Sequence, residues 1–132
     1  MSDLLAANRP MMEANAFANL AGVVVTDIQP DFAQAVLEVT PATLNAYGTV
    51  HGGAYFTLAD VCAGVAARTD GRSYVIQQAS SQFLRAAKAG RITACAHVLH
   101  RGGTVCFVEV RISDEADKLL FFSTFNFYCV RK

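Results

Sequence analysis

Gly52-Gly53-Ala54-Tyr55-Phe56-Thr57-Leu58-Ala59-Asp60-Val61-Cys62-Ala63-Gly64-Val65-Ala66-Ala67-Arg68 is the stretch that decides the fold. From about Gly53 to Arg68 it is long, rich in alanine and free of proline, as a helix requires. Its side chains are apolar nearly all the way round, which marks a helix packed on most sides. Thr69-Asp70-Gly71 ends it. Asp60 is the only charged residue between His51 and Arg68. An acid there is costly to bury as an anion, so it is paired, protonated or kept for chemistry. It lies too deep in the helix to be its N-cap.

Strand patterns flank this helix. Ala21 to Ile28 reads as a strand broken at Pro30-Asp31, and Ala33 to Thr40 as a second, with Ala33, Ala35, Leu37 and Val39 on one face. Loop chemistry runs from Ala42 to Gly53. After the helix come Ser73 to Leu84, Arg91 to His100, Val105 to Ile112 and Lys118 to Val130, with Gly102-Gly103 suited to a hairpin turn. Residues 1–18 form an N-terminal extension in which Pro10 opens a short helix through Ala18, with Met11, Met12 and Phe17 as its apolar residues. The order predicts an α+β architecture: an antiparallel sheet of five to six strands wrapped around one long central helix. In Val105 to Ile112, Cys106, Val108, Val110 and Ile112 share one face. The last strand is apolar on both, with Leu119, Phe121, Phe125 and Phe127 against Leu120, Phe122 and Tyr128. Two apolar faces need two covers, and one helix supplies only one. A second subunit is the expected source of the other.

The 132 residues make one domain over 1–132. Eleven basic residues balance eleven acidic ones, so no basic surplus points to nucleic acid. Only 17% of residues are charged, 53% are hydrophobic, and the mean hydropathy is +0.30, which excludes disorder and favours self-association. The longest apolar stretch, Ala54 to Ala67, is interrupted by Thr57 and Asp60 and is too short to span a bilayer. The N-terminus lacks the pattern of an export signal, so a cytoplasmic protein without a membrane partner is expected. Cys62, Cys95, Cys106 and Cys129 form no CxxC pair and read as buried thiols. Cys95-x-His97 has no second pair nearby, so no metal site is expected. No GxSxG elbow, Walker loop or GxGxxG fingerprint occurs.

The approach to the helix carries a second signal. A glycine pair either makes an ordinary loop or lets a ligand come close to the first, unsatisfied helical N–H groups. The helix dipole makes that end attractive to an oxyanion or a polarised carbonyl oxygen. Gly52 and Asp60 are eight residues apart, or roughly 12 Å along one helix. Two groups so placed cannot both touch one reacting carbonyl, which needs them at about 3 Å. An antiparallel pair of these helices in a homodimer would set each Asp60 opposite the other chain's Gly52.

Asn45-Ala46-Tyr47-Gly48-Thr49-Val50-His51-Gly52-Gly53, running into Thr57-Leu58-Ala59-Asp60, closely resembles the hotdog-fold acyl-CoA thioesterases of the phenylacetate-degradation (PaaI-like) type. Phe83-Leu84-Arg85-Ala86-Ala87-Lys88-Ala89-Gly90 resembles that family's "FLRPA…G" strand end, with Ala86 in place of its proline. The resemblance covers the chain from about Phe17 to Val130.

It implies a hotdog fold and hydrolysis of an aryl- or medium-chain acyl-CoA thioester to a free acid and CoA, by a homodimer or a homotetramer built of such dimers, with no cofactor. Gly52 would polarise the thioester carbonyl through its N–H. Asp60 of the other subunit would be nucleophile or general base. Asn45 would orient water or thioester. His51 would contact the thioester or leaving thiol, or else fix the loop through its ring nitrogens. Gly53 belongs to the same substrate-facing turn. An assisting Ser or Thr after the helix has no exact counterpart, and Gln77, Ser80 or Ser81 could substitute. Arg85, Lys88 and Arg101, with Arg91, are placed by analogy to meet CoA phosphates or else carry plain surface charge. The alternative is a non-catalytic acyl-CoA-binding or regulatory module on the same fold, which would not need Asp60. A hotdog hydratase would need a different histidine and acid placement.

Overall fold

Small side chains let the central helix lie directly on a sheet. The computed structural model describes residues 3–131. Two short helices, α1 (Asp3–Ala14) and α2 (Ala16–Ala21), precede the strands β1 (Val23–Gln29) and β2 (Phe32–Glu38). A 3-10 turn over Pro41–Thr43 leads into a loop and then α3 (Gly52–Ala67). Four strands follow: β3 (Ser73–Phe83), β4 (Arg91–Arg101), β5 (Val105–Ser113) and β6 (Leu119–Arg131). They form one six-stranded sheet in the order β1-β2-β4-β5-β6-β3, antiparallel throughout. The edges are therefore β1 and β3.

Leu58, Ala59, Cys62, Ala63 and Ala66 of α3 are fully buried. Against them the strands turn Ile28, Ala35, Leu37, Ile92, Val108, Val110, Phe121 and Phe125, each at most 1% exposed. The Cys62 thiol donates to Ala33 O at 3.3 Å, and burial pushes its pKa up. The four cysteines are unpaired. One strip of α3 escapes the sheet: Phe56, Thr57, Asp60 and Val61, continued by the C-cap Arg68, are only half-buried. Three- and four-residue spacing places them on one face.

The predicted faces of β2 and β5 hold. Ala33, Ala35 and Leu37 are buried, as are Cys106, Val108, Val110 and Ile112. Val39 lies beyond the end of β2, where Thr40-Pro41 starts the 3-10 turn. In β6, Phe121, Phe125 and Phe127 are buried and Phe122 and Tyr128 are not, but Leu120 is also fully buried.

The N-terminal extension differs from expectation. Pro10 does not open a helix but sits inside α1, and the break falls at Asn15. Asn15 Oδ1 accepts from Ala18 N at 3.1 Å and so starts α2. Gly22, in the left-handed region at φ 87°, ends α2, so Ala21 closes a helix instead of opening a strand. Of the expected apolar residues Met12 packs on the core, whereas Met11 and Phe17 are exposed.

At the far end of α3 a polar clamp ties the helix to the sheet. Arg101 Nη1 donates to Ala67 O at 2.8 Å and pairs with Asp70 Oδ2 at 2.8 Å, while Nη2 pairs with Asp31 Oδ1 at 2.8 Å. Tyr74 donates to Asp70 Oδ2 at 2.6 Å, and Arg72 pairs with the same carboxylate at 2.7 Å. Desolvation opposes ionisation of Asp70, but these hydrogen bonds and the charge of Arg101 outweigh it and hold its pKa at about 2. A depressed carboxyl contributes stability above its unfolded pKa and loses it as pH falls through the folded value. Asp70→Asn is expected to lower Tm by a few degrees at neutral pH, the modest size reflecting solvent screening, and to leave turnover unchanged. The gap in Tm should close as pH falls from about 4 towards 2. Thermal unfolding across that range checks it.

Candidate active site

Four N–H groups open α3, and three have acceptors. Ala54 and Tyr55 donate to His51 O at 2.9 and 3.2 Å. Gly53 donates to His51 Nδ1 at 2.8 Å. Gly52 alone of the four has no acceptor among the described residues. His51 is the N-cap of the helix, at φ −62° and ψ 138°. With Nδ1 accepting, its ring carries the N–H at Nε2. The loop-fixing role considered for His51 is therefore one that its ring performs. It also explains Gly53, where a Cβ would lie 3.1 Å from His51 Nδ1.

Asn45 holds the preceding loop closed. Its Oδ1 accepts from Tyr47 N at 2.9 Å and Thr49 N at 3.1 Å, its Nδ2 donates to Thr49 Oγ1 at 2.9 Å, and its N–H reaches Thr49 O at 2.7 Å. Both Oδ1 contacts lie inside the loop, so the side chain shapes the turn that delivers His51 and Gly52. The backbone continues the support: His51 N reaches Thr43 O, and Val50 N reaches Ala87 O, both at 2.8 Å.

Gly52 opens onto a cavity of about 310 Å³ with Val50, Tyr55, Phe83, Leu84, Arg85 and Ala86. Tyr55 donates to Arg85 O at 3.0 Å and stacks on Phe121, fixing the 84–87 segment beside the helix start. The Arg85 side chain is exposed and has no side-chain partner among the described residues, and Lys88 is exposed three residues on. A larger cavity of about 480 Å³ lies on the other side of the helix start, between α2, β2 and the loop. His51, Gly53 and Thr57 line it, but the Thr57 hydroxyl donates to Gly53 O at 2.8 Å. Neither the Gly52 N–H nor Asp60 is there, so volume alone does not mark the chemistry.

Asp60 sits in a third cavity, of about 280 Å³, with Asn15, Val61, Gly64, Arg68, Tyr74, Val75, Ile76 and Phe127. Its carboxylate makes no hydrogen bond or ion pair among the described residues. Desolvation raises its pKa and the charge of Arg68 draws it back. Within one chain, then, Gly52 and Asp60 face different cavities, roughly 12 Å apart along the helix.

Other expected site residues are placed differently. Gln77 falls at a register irregularity between Ile76 and Gln78, so Tyr74 and Ile76 precede it on the helix side while Ala79 and Ser81 follow on that side. Ser80 therefore lies on the face away from α3. The Ser81 and Ser123 hydroxyls are 2.9 Å apart, and Ser123 also donates to Ser80 O. None of Gln77, Ser80 and Ser81 lines the cavity of Asp60 or of Gly52. Arg101 is no free phosphate ligand: the clamp takes its guanidinium, at the opposite end of α3 from Gly52. Arg91 pairs with Glu38. Tyr55 was not singled out in the sequence, and Phe83 entered only as the start of a strand-end motif. Tyr55 was legible only as one more apolar position, three residues from Gly52. Arg68 could have been found by helical spacing, since Asp60, Gly64 and Arg68 recur every four residues.

Residues 47–121, more than half of the chain, match the thioesterase superfamily. The chain belongs to that superfamily. Its fold is the superfamily's hotdog fold, with the open antiparallel sheet around α3. This thioesterase-superfamily chain is 36% identical over 119 residues to a putative esterase of Deinococcus radiodurans, covering 88% of this chain and 81% of that one. It is 31% identical over 109 residues to the acyl-coenzyme A thioesterase PaaI of Escherichia coli K12, covering 82% and 78%. The solved structure of E. coli PaaI superposes with a TM-score of 0.92, over 96% of this chain and 93% of that one, at 26% identity. A hypothetical thioesterase of Streptococcus pneumoniae, solved with coenzyme A, superposes with a TM-score of 0.85 at 25% identity, over 92% and 98%. The match to residues 47–121 takes in the end of the loop, the whole of α3 and β3 to β5, while Asn45 and most of β6 with Phe127 lie outside it.

Proposed function

We propose that this chain is an acyl-CoA thioesterase whose reaction centres are each built by two copies of it. The observation that carries this reading is the separation within one chain of an unpaired N–H at Gly52 from an unpaired carboxylate at Asp60. Each is half of a hydrolytic site. Two α3 helices packed antiparallel by their open strips would bring each Asp60 to the partner's Gly52. The strip offers Phe56 and Val61 for such a contact, and the neighbouring edge strand β3 exposes Val75 and Ile76. An edge strand also carries a row of unpaired backbone groups that pairing with a second copy would satisfy. The incompletely covered outer face of the sheet, with Phe122 and Tyr128, suits pairing of dimers into a tetramer.

In this centre the Gly52 N–H, reinforced by the α3 dipole, polarises the thioester carbonyl. Asp60 attacks that carbonyl or deprotonates the water that does. Arg85 lines the Gly52 cavity and Lys88 is exposed three residues on, where CoA phosphates would find loosely placed charge. The apolar walls at Asp60, from Val61, Val75, Ile76 and Phe127, suit an aryl or medium-chain acyl group. Kinship with the E. coli acyl-CoA thioesterase and likeness to the CoA-bound S. pneumoniae structure support the substrate class. Four unpaired thiols suit a reducing cytoplasm.

The deciding experiment is thiol release from a panel of acyl-CoAs, followed with a thiol reagent. Turnover of aryl or medium-chain members is expected. Tight binding across the panel without release would replace the enzyme by an acyl-CoA-binding module.

A further inference from the structure

Arg68, the C-cap of α3, stands two turns beyond Asp60 in line with the same strip. Its Nε is buried and has no hydrogen-bond partner, the one such side-chain atom among the described residues. Side chains on a helix lean toward its N-terminus, so Arg68 reaches back along the strip toward Asp60. Gly64 leaves the path open. A Cβ there would lie 3.4 Å from Arg68 Nη1 and 3.8 Å from Phe127 Cε1. Asp60, Gly64 and Arg68 line one cavity.

The contrast with Arg101 is informative. That guanidinium is saturated by carbonyls and carboxylates and holds the fold together. Arg68 has a buried donor with no acceptor, in line with the strip that carries a carboxylate also lacking a hydrogen-bond partner. Resting on the reading of Asp60 as the reacting carboxylate, we propose that Arg68 is a positioning residue for the reaction, the electrostatic partner that acts on Asp60 across Gly64.

The surroundings leave few rivals for that role. From α2's N-cap, β3 and β6 the cavity receives Asn15, Tyr74, Val75, Ile76 and Phe127. On its other side Arg68 meets Met11 and Met12 of α1 and Val23 and Val25 of β1. Tyr74 is the one further titratable group, and its hydroxyl is committed to Asp70. Burial raises the Asp60 carboxyl and Arg68 draws it down; burial lowers Arg68 and Asp60 raises it. A nearby opposite charge favours the ionised acid, so removing it should move the acid into a higher pH range.

The test is the pH profile of kcat/KM for the full-length protein with Arg68→Leu and Arg68→Lys. Arg68→Leu should displace the acid limb upward by about one pH unit and leave the plateau within about threefold of the parent. Arg68→Lys, which keeps the charge, should return the limb to its original place. A merely structural arginine would lower the plateau or Tm without moving the limb. An unmoved limb in Arg68→Leu, or no recovery in Arg68→Lys, overturns the proposal. Should thermal unfolding show Arg68→Leu to be misfolded, Arg68→Gln is read by the same criteria. If Asp60→Asn abolishes turnover while the limb of Arg68→Leu stays in place, only the role of Arg68 fails. If Asp60→Asn keeps turnover, the reading of Asp60 itself fails.

Discussion

Asp60→Asn is expected to lower kcat roughly a hundredfold or more while the fold and assembly persist. Asparagine keeps the size of the side chain and removes the group that attacks or takes a proton. The loss should come without a stability penalty, because the native carboxylate is half-buried and has no hydrogen-bond partner. Its raised pKa means that the folded state holds the Asp60 proton to higher pH than the unfolded chain does. Stability therefore falls as pH rises through that interval, and the ionised form is a net burden above it. Asp60→Asn should melt at or above the parent Tm at neutral pH, and the difference should vanish in acid. Steady-state turnover with matched thermal scans measures both effects. Near-normal turnover would remove Asp60 from the chemistry.

Gly52→Pro tests the other half. Gly52 is the first residue of α3, where proline fits because the missing N–H has no intrahelical partner. His51 before it is already extended, as a residue preceding proline prefers. The substitution thus removes the N–H, adds a ring whose Cβ lies 3.4 Å from Phe83 Cε2, and lets the helix keep its start, so Gly52→Ala is the control for the added carbon. Losing one oxyanion donor should lower kcat by about a hundredfold to a thousandfold. Gly52→Ala keeps the N–H and brings a methyl group 3.4 Å from Phe83 Cε2, so it should cost far less. Mixing Gly52→Pro chains with Asp60→Asn chains under conditions of subunit exchange should restore turnover. In a mixed dimer one centre pairs an intact Gly52 with an intact Asp60, so random assortment returns about a quarter of the parental activity. No recovery after confirmed exchange would show that the two groups do not share a centre.

Most of the architecture was legible because burial imposes simple periods. α3 read as a helix from its alanines and its lack of proline, and the two-residue alternation in β2 and β5 marked their inner faces. The N-terminal extension was misread for a definite reason: Pro10 is a common first residue of a helix, yet here Asn15 and Gly22 set the boundaries through one side-chain cap and one left-handed turn. Gly52 and Asp60 stood out because a glycine pair and a lone acid are unusual in an apolar helix. The loop-fixing duty of His51 was one of two roles open in the sequence, whereas that of Asn45 could not be read in advance, since it depends on which atoms a five-residue turn brings together. Arg101 looked like any surface cation. Only the approach of Asp31, Asp70 and the end of α3, from separate parts of the chain, makes it a structural clamp. The Ser80 and Ser81 facings turn on a single irregularity at Gln77, which reverses the alternation of everything after it.

The loop that Asn45 staples shut is finished before any substrate arrives. On the proposed reading its polarising hydrogen comes from residues 45–53, whereas the walls facing Asp60 come from β3, from Phe127 of β6 and from α3 itself. Selectivity for one acyl chain over another would then drift by exchanging the exposed Val75 or Ile76 without retuning the half that activates the carbonyl. Such a division lets one scaffold diversify its diet while its bond-breaking apparatus stays as it was.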